Sequence, residues 1–284
     1  MQRRVGFAVI AIPLALAVVW YGGVILAGLV AVIAVLGTNE LFGLAERQGI
    51  RPSRTLGMMT AVAIPVFTYL VVTNAATRSF VSDAWPYAAA GWLIVVLTWA
   101  LAARAPQERP LSAVGTLLLA AAYTSALPAF LLAIRHGRHL ERSWAGASLV
   151  FFPLVVTWVC DSAAMFAGRA VGGPKLAPVV SPGKTRAGGV AGVIGGLLVA
   201  PLFGTFIFPR VGLTPPLWQL LVVAGVLGVI GQVGDLAESL FKREAGVKDS
   251  SQLIPGHGGV LDRFDSLYFV VPTAAGLYRI FGMV

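Results

Sequence analysis

Four side chains that could bind a metal ion or a phosphate follow one another at helical spacing near residue 240. Asp235, Glu238, Ser239 and Lys242 stand at i, i+3, i+4 and i+7, which places them on one face of an α-helix. Two carboxylates and a hydroxyl can bind a divalent cation through oxygen, and the lysine one turn further can meet a phosphate. An exposed helix end with an internal salt bridge explains the same spacing, so this stripe alone leaves both interpretations open.

The segment after this stripe is rich in glycine and has no hydrophobic periodicity. It runs from Lys248 and Asp249 to His257, Gly258 and Gly259. Glycine lets backbone N–H groups approach a ligand closely, so we predict a loop built around an anion. Glycines flank His257, so no neighbour in sequence buries its ring.

Three more carboxylates complete the acidic set. Asp262 and Asp265 share a helical face at i, i+3, which supplies a second carboxylate pair. Asp161 lies in an apolar stretch, where a bare carboxylate costs roughly 3 kcal/mol or more. It therefore needs a partner or a metal. The alternative is a carboxylate paired with Arg169 for packing alone, or one that lies at the membrane interface because the span is misplaced.

A basic turn precedes these segments. Ser181, Gly183, Lys184 and Thr185 offer hydroxyl, amide and ammonium groups of the kind that hold polyphosphates. The first glycine of a P-loop is missing, since no glycine stands at the required spacing before Gly183 and Lys184. A solvated basic turn explains the same residues.

The elements that position these residues belong in a membrane. Of 284 residues 57% are hydrophobic and 12% are charged, against roughly 25% charged residues in soluble domains; this excludes an ordinary soluble enzyme. One cysteine and three histidines also leave no zinc-type spacing. We predict an all-α, polytopic transmembrane bundle of about nine spans. The spans are expected at about 5–20, 23–43, 56–73, 85–103, 112–134, 146–167, 188–208, 216–236 and 264–282.

The charges suggest an orientation and a division of labour. With Arg3 and Arg4 in the cytoplasm, the basic loops at 168–187 and 237–263 also lie inside. The basic segment 135–142 then falls outside, against the positive-inside rule. Seven of the twelve acids follow residue 150, so we predict scaffold helices over 1–145 and a catalytic region over 146–284, within one integrated membrane domain. Gly188, Gly192 and Gly196 indicate close helix packing.

The polar segments resemble a known family, the phosphatidate cytidylyltransferases. The resemblance rests on Ser239-x-x-Lys242-Arg243-x-x-x-x-Lys248-Asp249, continued by Pro255-x-His257-Gly258-Gly259-x-x-Asp262-Arg263-x-Asp265. Asp161-Ser162-Ala163-Ala164, Gly168-Arg169 and the 181–185 turn are similar to family segments in the same order. It is strong over 155–270 and extends to the first 150 residues only in hydropathy. Met165 and Ala187 depart from the family pattern and are left out of the site.

The resemblance implies transfer of the cytidylyl group of CTP to phosphatidic acid, giving CDP-diacylglycerol and pyrophosphate in phospholipid biosynthesis. It implies Mg²⁺ as cofactor, with a second cation left open. The implied catalytic residues are Asp235, Asp262, Lys242, Arg263 and His257. The implied substrate-binding residues are Ser181, Lys184, Thr185, Ser239, Arg243, Lys248, Asp249, Gly258 and Gly259. The implied metal-binding residues are Asp161, Asp235, Glu238, Asp262 and Asp265, with Asp235 and Asp262 as the principal ligands.

Other expectations concern location and partners. The protein is expected in the bacterial inner membrane with its site facing the cytoplasm, where CTP is found. Membrane lipids are expected around it, the family implies a homodimer, and no nucleic acid is expected as a partner. Two other classes stay open at this point. They are a transporter, whose ions usually lie near the midplane between paired halves, and another membrane enzyme acting on a lipid phosphate, such as a lipid or polyprenol kinase using CTP.

Overall fold

A computed structural model describes residues 13–253 and 258–284. The fold is helical, with one short β-hairpin. The first helix, α1, is described over 13–21. The other helices are α2 (Gly23–Glu46), α3 (Arg54–Thr73), α4 (Ala75–Ala103), α5 (Pro110–Leu119), α6 (Leu127–His136), α7 (Trp144–Val171), α8 (Arg186–Leu202), α9 (Leu217–Glu244), α10 (Leu261–Phe264) and α11 (Leu267–Ile280). A π-helical segment, Ala120–Ala126, joins α5 to α6, and another, Phe203–Ile207, extends α8. Short 3₁₀ turns lie at Pro106–Glu108 and Pro209–Val211.

Within the described residues, seven helices are long and apolar enough to cross a membrane. They are Gly23–Glu46, Arg54–Thr73, Ala75–Ala103, Pro110–His136, Trp144–Val171, Arg186–Ile207 and Leu217–Glu244. The chain is therefore a polytopic, all-α membrane protein, as predicted, but nine spans are not confirmed. Most of the predicted span 5–20 lies outside the described residues, and α11 has 14 residues, about 21 Å against a hydrocarbon core of about 30 Å.

Polar side chains at the ends of these helices set where they begin. Ser53 caps α3, Asn74 caps α4 and Ser143 caps α7, each accepting hydrogen bonds from the first turn of its helix. Such caps satisfy backbone N–H groups that have no partner inside the helix. The apolar stretches therefore start and stop at defined positions in the chain.

Small residues bring α7 and α8 together, as the glycine spacing predicted. A Cβ on Gly188 would lie 2.6 Å from the carbonyl oxygen of Ala164, and one on Gly192 would lie 3.0 Å from that of Cys160. Larger side chains would force the two helices apart. This contact fixes the C-terminal half of α7, which carries Asp161, against the start of α8.

The hairpin lies between α7 and α8, where the sequence had suggested only a basic turn. Strand β1 (Lys175–Ala177) pairs antiparallel with β2 (Ser181–Thr185), and Lys175 lies opposite Thr185. Thr185 then caps α8 by accepting a hydrogen bond from the Gly188 N–H at 3.0 Å. Because Lys184 lies on β2 directly before this cap, the hairpin fixes its position at the start of α8.

The basic segment 135–142 lies at the opposite end of the bundle from the hairpin. Arg135 is fully buried, and its guanidinium donates to the carbonyl oxygens of Val19 at 2.7 Å, Trp20 at 2.6 Å and Leu140 at 3.0 Å. His136 accepts a hydrogen bond from the Gly23 N–H at 3.0 Å. These side chains satisfy backbone groups at the break between α1 and α2, so Arg135 and His136 have a structural role that does not depend on the side of the membrane.

Candidate active site

The predicted site residues meet at one end of the bundle. The C-terminal parts of α7 and α9, the β-hairpin, the loop after α9 and α10 all converge there. The Lys184 ammonium lies 2.5 Å from Asp235 Oδ2, and Arg243 Nε donates to the carbonyl oxygen of Val180 at 3.2 Å. Segments separated by some fifty residues in the sequence are thus joined by direct polar contacts.

The stripe on α9 has the geometry that its spacing predicted. Ser239 Oγ lies 3.3 Å from Asp235 Oδ1 and donates to it. One turn further, Lys242 forms an ion pair with Glu238. Glu238, Ser239 and Lys242 are buried, so this end of α9 faces protein and not water, unlike the solvated helix end that the sequence left open.

Lys242 lies between two carboxylates from different elements. Besides Glu238, it contacts Asp262 Oδ1 at 2.6 Å. Neither oxygen of Glu238 makes a hydrogen bond of normal geometry with the described residues, although its side chain is completely buried. Buried polar atoms without partners are uncommon and call for an explanation such as a ligand or water.

Asp262 is saturated with hydrogen bonds. Its second oxygen, Oδ2, accepts from Ser250 N at 2.9 Å and Gly259 N at 2.7 Å. It also lies 2.9 Å from Ser250 Oγ, whose one proton is shared between Asp262 and Glu40. Burial opposes ionisation of this carboxyl, but Lys242 and the two backbone N–H groups outweigh it, so the pKa of Asp262 lies below its usual value. In the described part of the glycine-rich loop, the bound anion is therefore the protein's own carboxylate.

Gly258 and Gly259 are required for this arrangement. Gly258 has a φ of +80°, and a Cβ there would lie 2.6 Å from Asp262 Oδ2. A Cβ on Gly259 would meet Glu40 and Ser250 at still shorter distances. The close backbone approach that the sequence predicted is present. His257, predicted as catalytic, lies outside the described residues.

A second group of acids lies beside this network. Asp265, between α10 and α11, is repelled by Asp235 and Asp161. Burial, followed by the repulsion from Asp235, raises the pKa of Asp265 to about 7. Asp161 and Asp265 form no ion pair with any described residue. Asp161, Asp235 and Asp265 repel one another, and a bound cation would offset this concentration of negative charge.

The residues present fit Mg²⁺ as part of a phosphate complex. Across 13–253 and 258–284, no three acidic, histidine or cysteine side chains come close enough to hold an ion on their own. In phosphate sites Mg²⁺ commonly takes one or two carboxylates, and phosphates and water supply its other oxygens. Asp235 and Asp265 meet that requirement, since Asp265 forms no ion pair with a described residue and Asp235 contacts Lys184 through Oδ2. Glu238 and Asp262 share one buried lysine, Lys242. The predicted ligand roles of Glu238 and Asp262 stay predictions.

Exposed cations surround the buried network. Arg243, Lys248 and Arg263 are exposed at the mouth of the site, together with Asp249. Arg243 is also held by the carbonyl oxygen of Val247 at 2.8 Å. On the hairpin, Ser181 is half-buried beside the mouth, while Thr185 is buried as the cap of α8. The site thus has a buried polar floor and a basic rim.

One residue of this end was missed in the sequence. Glu40, near the C-terminal end of α2, is buried and accepts hydrogen bonds from Ser250, Ser251, Val260 and Leu261. An acid within an apolar span is a functional candidate in its own right, so the signal was present. The attribution of the first half to scaffold alone had obscured it.

Two buried tyrosines close the site on the side of the bundle interior. Tyr123, on the π-helical segment, and Tyr268, on α11, pack with their rings tilted by 46° and the ring centroids 4.7 Å apart. Neither hydroxyl has a hydrogen-bond partner among the described residues. π-helical segments are frequent at functional sites, and this one brings the first half of the chain against the acid cluster.

This fold and this site define a polytopic membrane protein with a polar cluster suited to phosphates at one end of its bundle. The chain belongs to the cytidylyltransferase family, whose family model matches residues 2–281. That membership confirms the resemblance found in the sequence.

Three relatives are named phosphatidate cytidylyltransferase. The protein of Haemophilus influenzae is 39% identical over 188 residues, which cover 66% of this chain and 64% of that protein. The protein of Brucella suis is 47% identical over 143 residues, covering 49% and 48%. The protein of Staphylococcus saprophyticus is 46% identical over 127 residues, covering 45% and 47%. The chain therefore spans between about half and two thirds of the curated relatives it matches.

Proposed function

We propose that the protein transfers the cytidylyl group of CTP to phosphatidic acid, giving CDP-diacylglycerol and pyrophosphate. The observation that carries the proposal is the meeting of Lys184, Lys242 and the acids of α9 and α10 at one membrane-proximal end of the bundle. The names of the relatives and the family membership support it.

The reaction suits a site without a strong general base. A phosphate oxygen of phosphatidic acid forms a bond to the α-phosphorus of CTP, and the bond from that phosphorus to the bridging oxygen of the β-phosphate breaks, releasing pyrophosphate. The attacking oxygen is already anionic near neutral pH, so catalysis rests on positioning and charge neutralisation. His257 is not needed to remove a proton in this scheme.

The residues divide the work by their depth in the site. The exposed Arg243, Lys248 and Arg263 bind phosphates at the mouth. Lys184 and Lys242 lie deeper, each already beside a carboxylate, and neutralise the charge that develops on the leaving pyrophosphate. Ser239 and Ser181 donate hydrogen bonds from the floor and the hairpin. Asp249 is exposed next to Lys248 in the sequence, and its predicted substrate-binding role stays a prediction.

Mg²⁺ is proposed at Asp235 with Asp265 and Asp161 nearby, and a second cation stays open. When bound, the ion neutralises phosphate charge and draws the two substrates together. The test is a Mg²⁺ titration of activity in the wild type, Asp235→Asn and Asp262→Asn. Asp235→Asn is expected to raise the required Mg²⁺ concentration about tenfold or more, whereas Asp262→Asn lowers the maximal rate. The reverse pattern would return the principal ligand role to Asp262.

The inner membrane, with the site facing the cytoplasm, is proposed for location. Thirteen of the 21 lysines and arginines lie at the site end, either in the loops before α3, α5, α8 and α10 or in the helix ends that flank these loops, as the positive-inside rule requires of a cytoplasmic face. CTP is a cytosolic solute, and the lipid phosphate lies at the interface. The largely exposed apolar faces of α3 and α4 suit membrane lipids and also a second copy in a homodimer.

Label transfer separates this function from a CTP-dependent lipid kinase. The purified protein is given CTP labelled in either the α- or the γ-phosphate, with phosphatidic acid in one reaction and a lipid alcohol, diacylglycerol, in a parallel one. The α-label is expected in the lipid fraction and the γ-label in pyrophosphate. Transfer of the γ-label to lipid would show a kinase and overturn the proposal.

A further inference from the structure

Glu40 is the link between the first half of the chain and the site. Its Oε1 accepts from Ser251 Oγ at 2.7 Å and Val260 N at 2.9 Å, and its Oε2 accepts from Ser250 Oγ at 2.8 Å and Leu261 N at 2.8 Å. Each oxygen therefore receives one hydroxyl and one backbone N–H. The carboxylate holds both the loop after α9 and the beginning of α10.

These contacts continue into the polar floor of the site. Ser250 Oγ lies within 2.9 Å of both Glu40 Oε2 and Asp262 Oδ2, and Asp262 contacts Lys242. One connected network thus runs from α2 to α9. Lys248 and Asp249, which immediately precede the serines, are held at the mouth by the same anchor.

Only a glutamate satisfies all four donors. A glutamine is nearly isosteric, but in either orientation its NH₂ group faces a backbone N–H, from Val260 or from Leu261. A hydroxyl can turn to accept from that group, whereas a backbone N–H can only donate. One buried donor is then left unpaired, at a cost that exceeds the gain from an ordinary hydrogen bond.

We propose that Glu40 is a positioning residue of the site, which fixes the loop from Lys248 to Ser251 and the start of α10 and thereby holds Asp262 against Lys242. It touches no reacting atom. This inference rests on the proposed function for its kinetic consequence, but the anchoring itself is independent of which reaction the site performs.

The test compares Glu40→Gln with Glu46→Gln. Glu46 lies on the same helix, but it pairs with Arg54 at an exposed position and contacts no part of the described site. Two measurements are made on the full-length protein in detergent. The first is amide hydrogen exchange at 248–251 and 258–262, and the second is kcat and KM for CTP in the label-transfer assay.

Glu40→Gln is expected to speed exchange of the Val260 and Leu261 amides about tenfold or more, the effect of losing one buried hydrogen bond. KM for CTP is expected to rise by a similar factor because the rim cations lose their fixed position. Exchange in α7 and α8 and all properties of Glu46→Gln are expected to match the wild type. Faster exchange throughout the molecule, or wild-type exchange and kinetics in Glu40→Gln, would overturn the proposal.

Ser251→Ala is the second variant, in case Glu40→Gln does not fold. It removes one hydroxyl donor and leaves the carboxylate in place, so a several-fold rise in exchange confined to the same segments is expected. No change there would contradict the anchoring. If the wild type transfers no label, but exchange in the variants is faster than in the wild type at these segments only, the proposed function is refuted and the anchoring is supported.

Discussion

Lys242 and Arg135 are both buried cations, at opposite ends of the same bundle, and they are used differently. Lys242 contacts the side-chain carboxylates of Glu238 and Asp262, which come from two elements. Arg135 donates to three main-chain carbonyls. Lys242 thus holds charged side chains from separate elements together. Arg135 satisfies main-chain carbonyl groups at the end of α1 and in the loop after α6.

The surroundings differ in the same way. Beside Arg135 lies a cavity of about 530 Å³ lined by residues that include Tyr69, His136, Arg138 and Glu141, and no predicted site residue lines it. At the other end, Glu238 has no hydrogen-bond partner among the described residues besides its ion pair with Lys242, and Asp265 is repelled by Asp235. Buried charge alone therefore does not mark a site. Buried acids whose negative charge is only partly compensated by neighbouring groups do.

Removing each cation tests this difference most strongly. Lys242→Met leaves the buried carboxylates of Glu238 and Asp262 without the cation that they share, and is expected to cost about 3–5 kcal/mol of the free energy of unfolding and to abolish turnover. Arg135→Met leaves three carbonyls unpaired and is expected to cost about 3 kcal/mol, with turnover per folded molecule unchanged. Thermal unfolding in detergent and label transfer measure the two properties. Loss of turnover in folded Arg135→Met would contradict a purely structural role for Arg135.

Asp235→Asn tests whether the charge beside Lys184 is needed for the reaction. It keeps the size of the side chain but removes the charge beside Lys184 and the proposed metal position. At the Mg²⁺ concentration that just saturates the wild type, the rate of label transfer is expected to fall about 10- to 100-fold and to recover at higher Mg²⁺, with little change in thermal stability. Asp83→Asn, at an exposed position on α4, serves as the matched control. A rate near that of the wild type in Asp235→Asn would remove this residue from the chemistry.

Gly259→Ala is expected to have an intermediate effect. The added Cβ would collide with Glu40 and Ser250, so the loop must shift and Asp262 loses its backbone donor. Turnover is expected to fall about tenfold, as for one lost hydrogen bond to a charged group. Gly276→Ala, where a Cβ meets no atom within 4 Å, is the control. Equal activity in both variants would show that the loop tolerates displacement.

The smallest effect is expected at the exposed pair of Glu46 and Arg54. Both side chains are more than a third exposed, so Arg54→Ala is expected to cost about 0.5 kcal/mol or less and to leave turnover unchanged. Chemical unfolding measures the first and label transfer the second. A large loss of activity would mean that charge at this end matters beyond the site itself.

The spans and the α9 stripe could be predicted because each depends on local periodicity. Apolar stretches located seven helices, and the spacing from Asp235 to Lys242 located their common face. The family string located the remaining segments. In each case the information lies within about twenty-five consecutive residues or in a pattern shared with relatives.

The rest depends on contacts between distant segments. No spacing rule pairs Glu40 with Leu261, or Arg135 with Val19, because those contacts follow from how the helices pack. The β-hairpin was missed because β1 and β2 are short and polar, without the alternation that marks a strand. The count of nine spans is not confirmed, because α11 is shorter than its apolar stretch suggested and most of the predicted span 5–20 lies outside the described residues.

The most direct test of the central claim is Mg²⁺-dependent conversion of α-labelled CTP to a lipid-extractable product by the purified protein, with and without phosphatidic acid. The account predicts lipid-bound label only when the protein, Mg²⁺, CTP and phosphatidic acid are all present. Label that stays in the aqueous phase, with a folded protein that binds CTP, would contradict it and show that phosphatidic acid is not the acceptor.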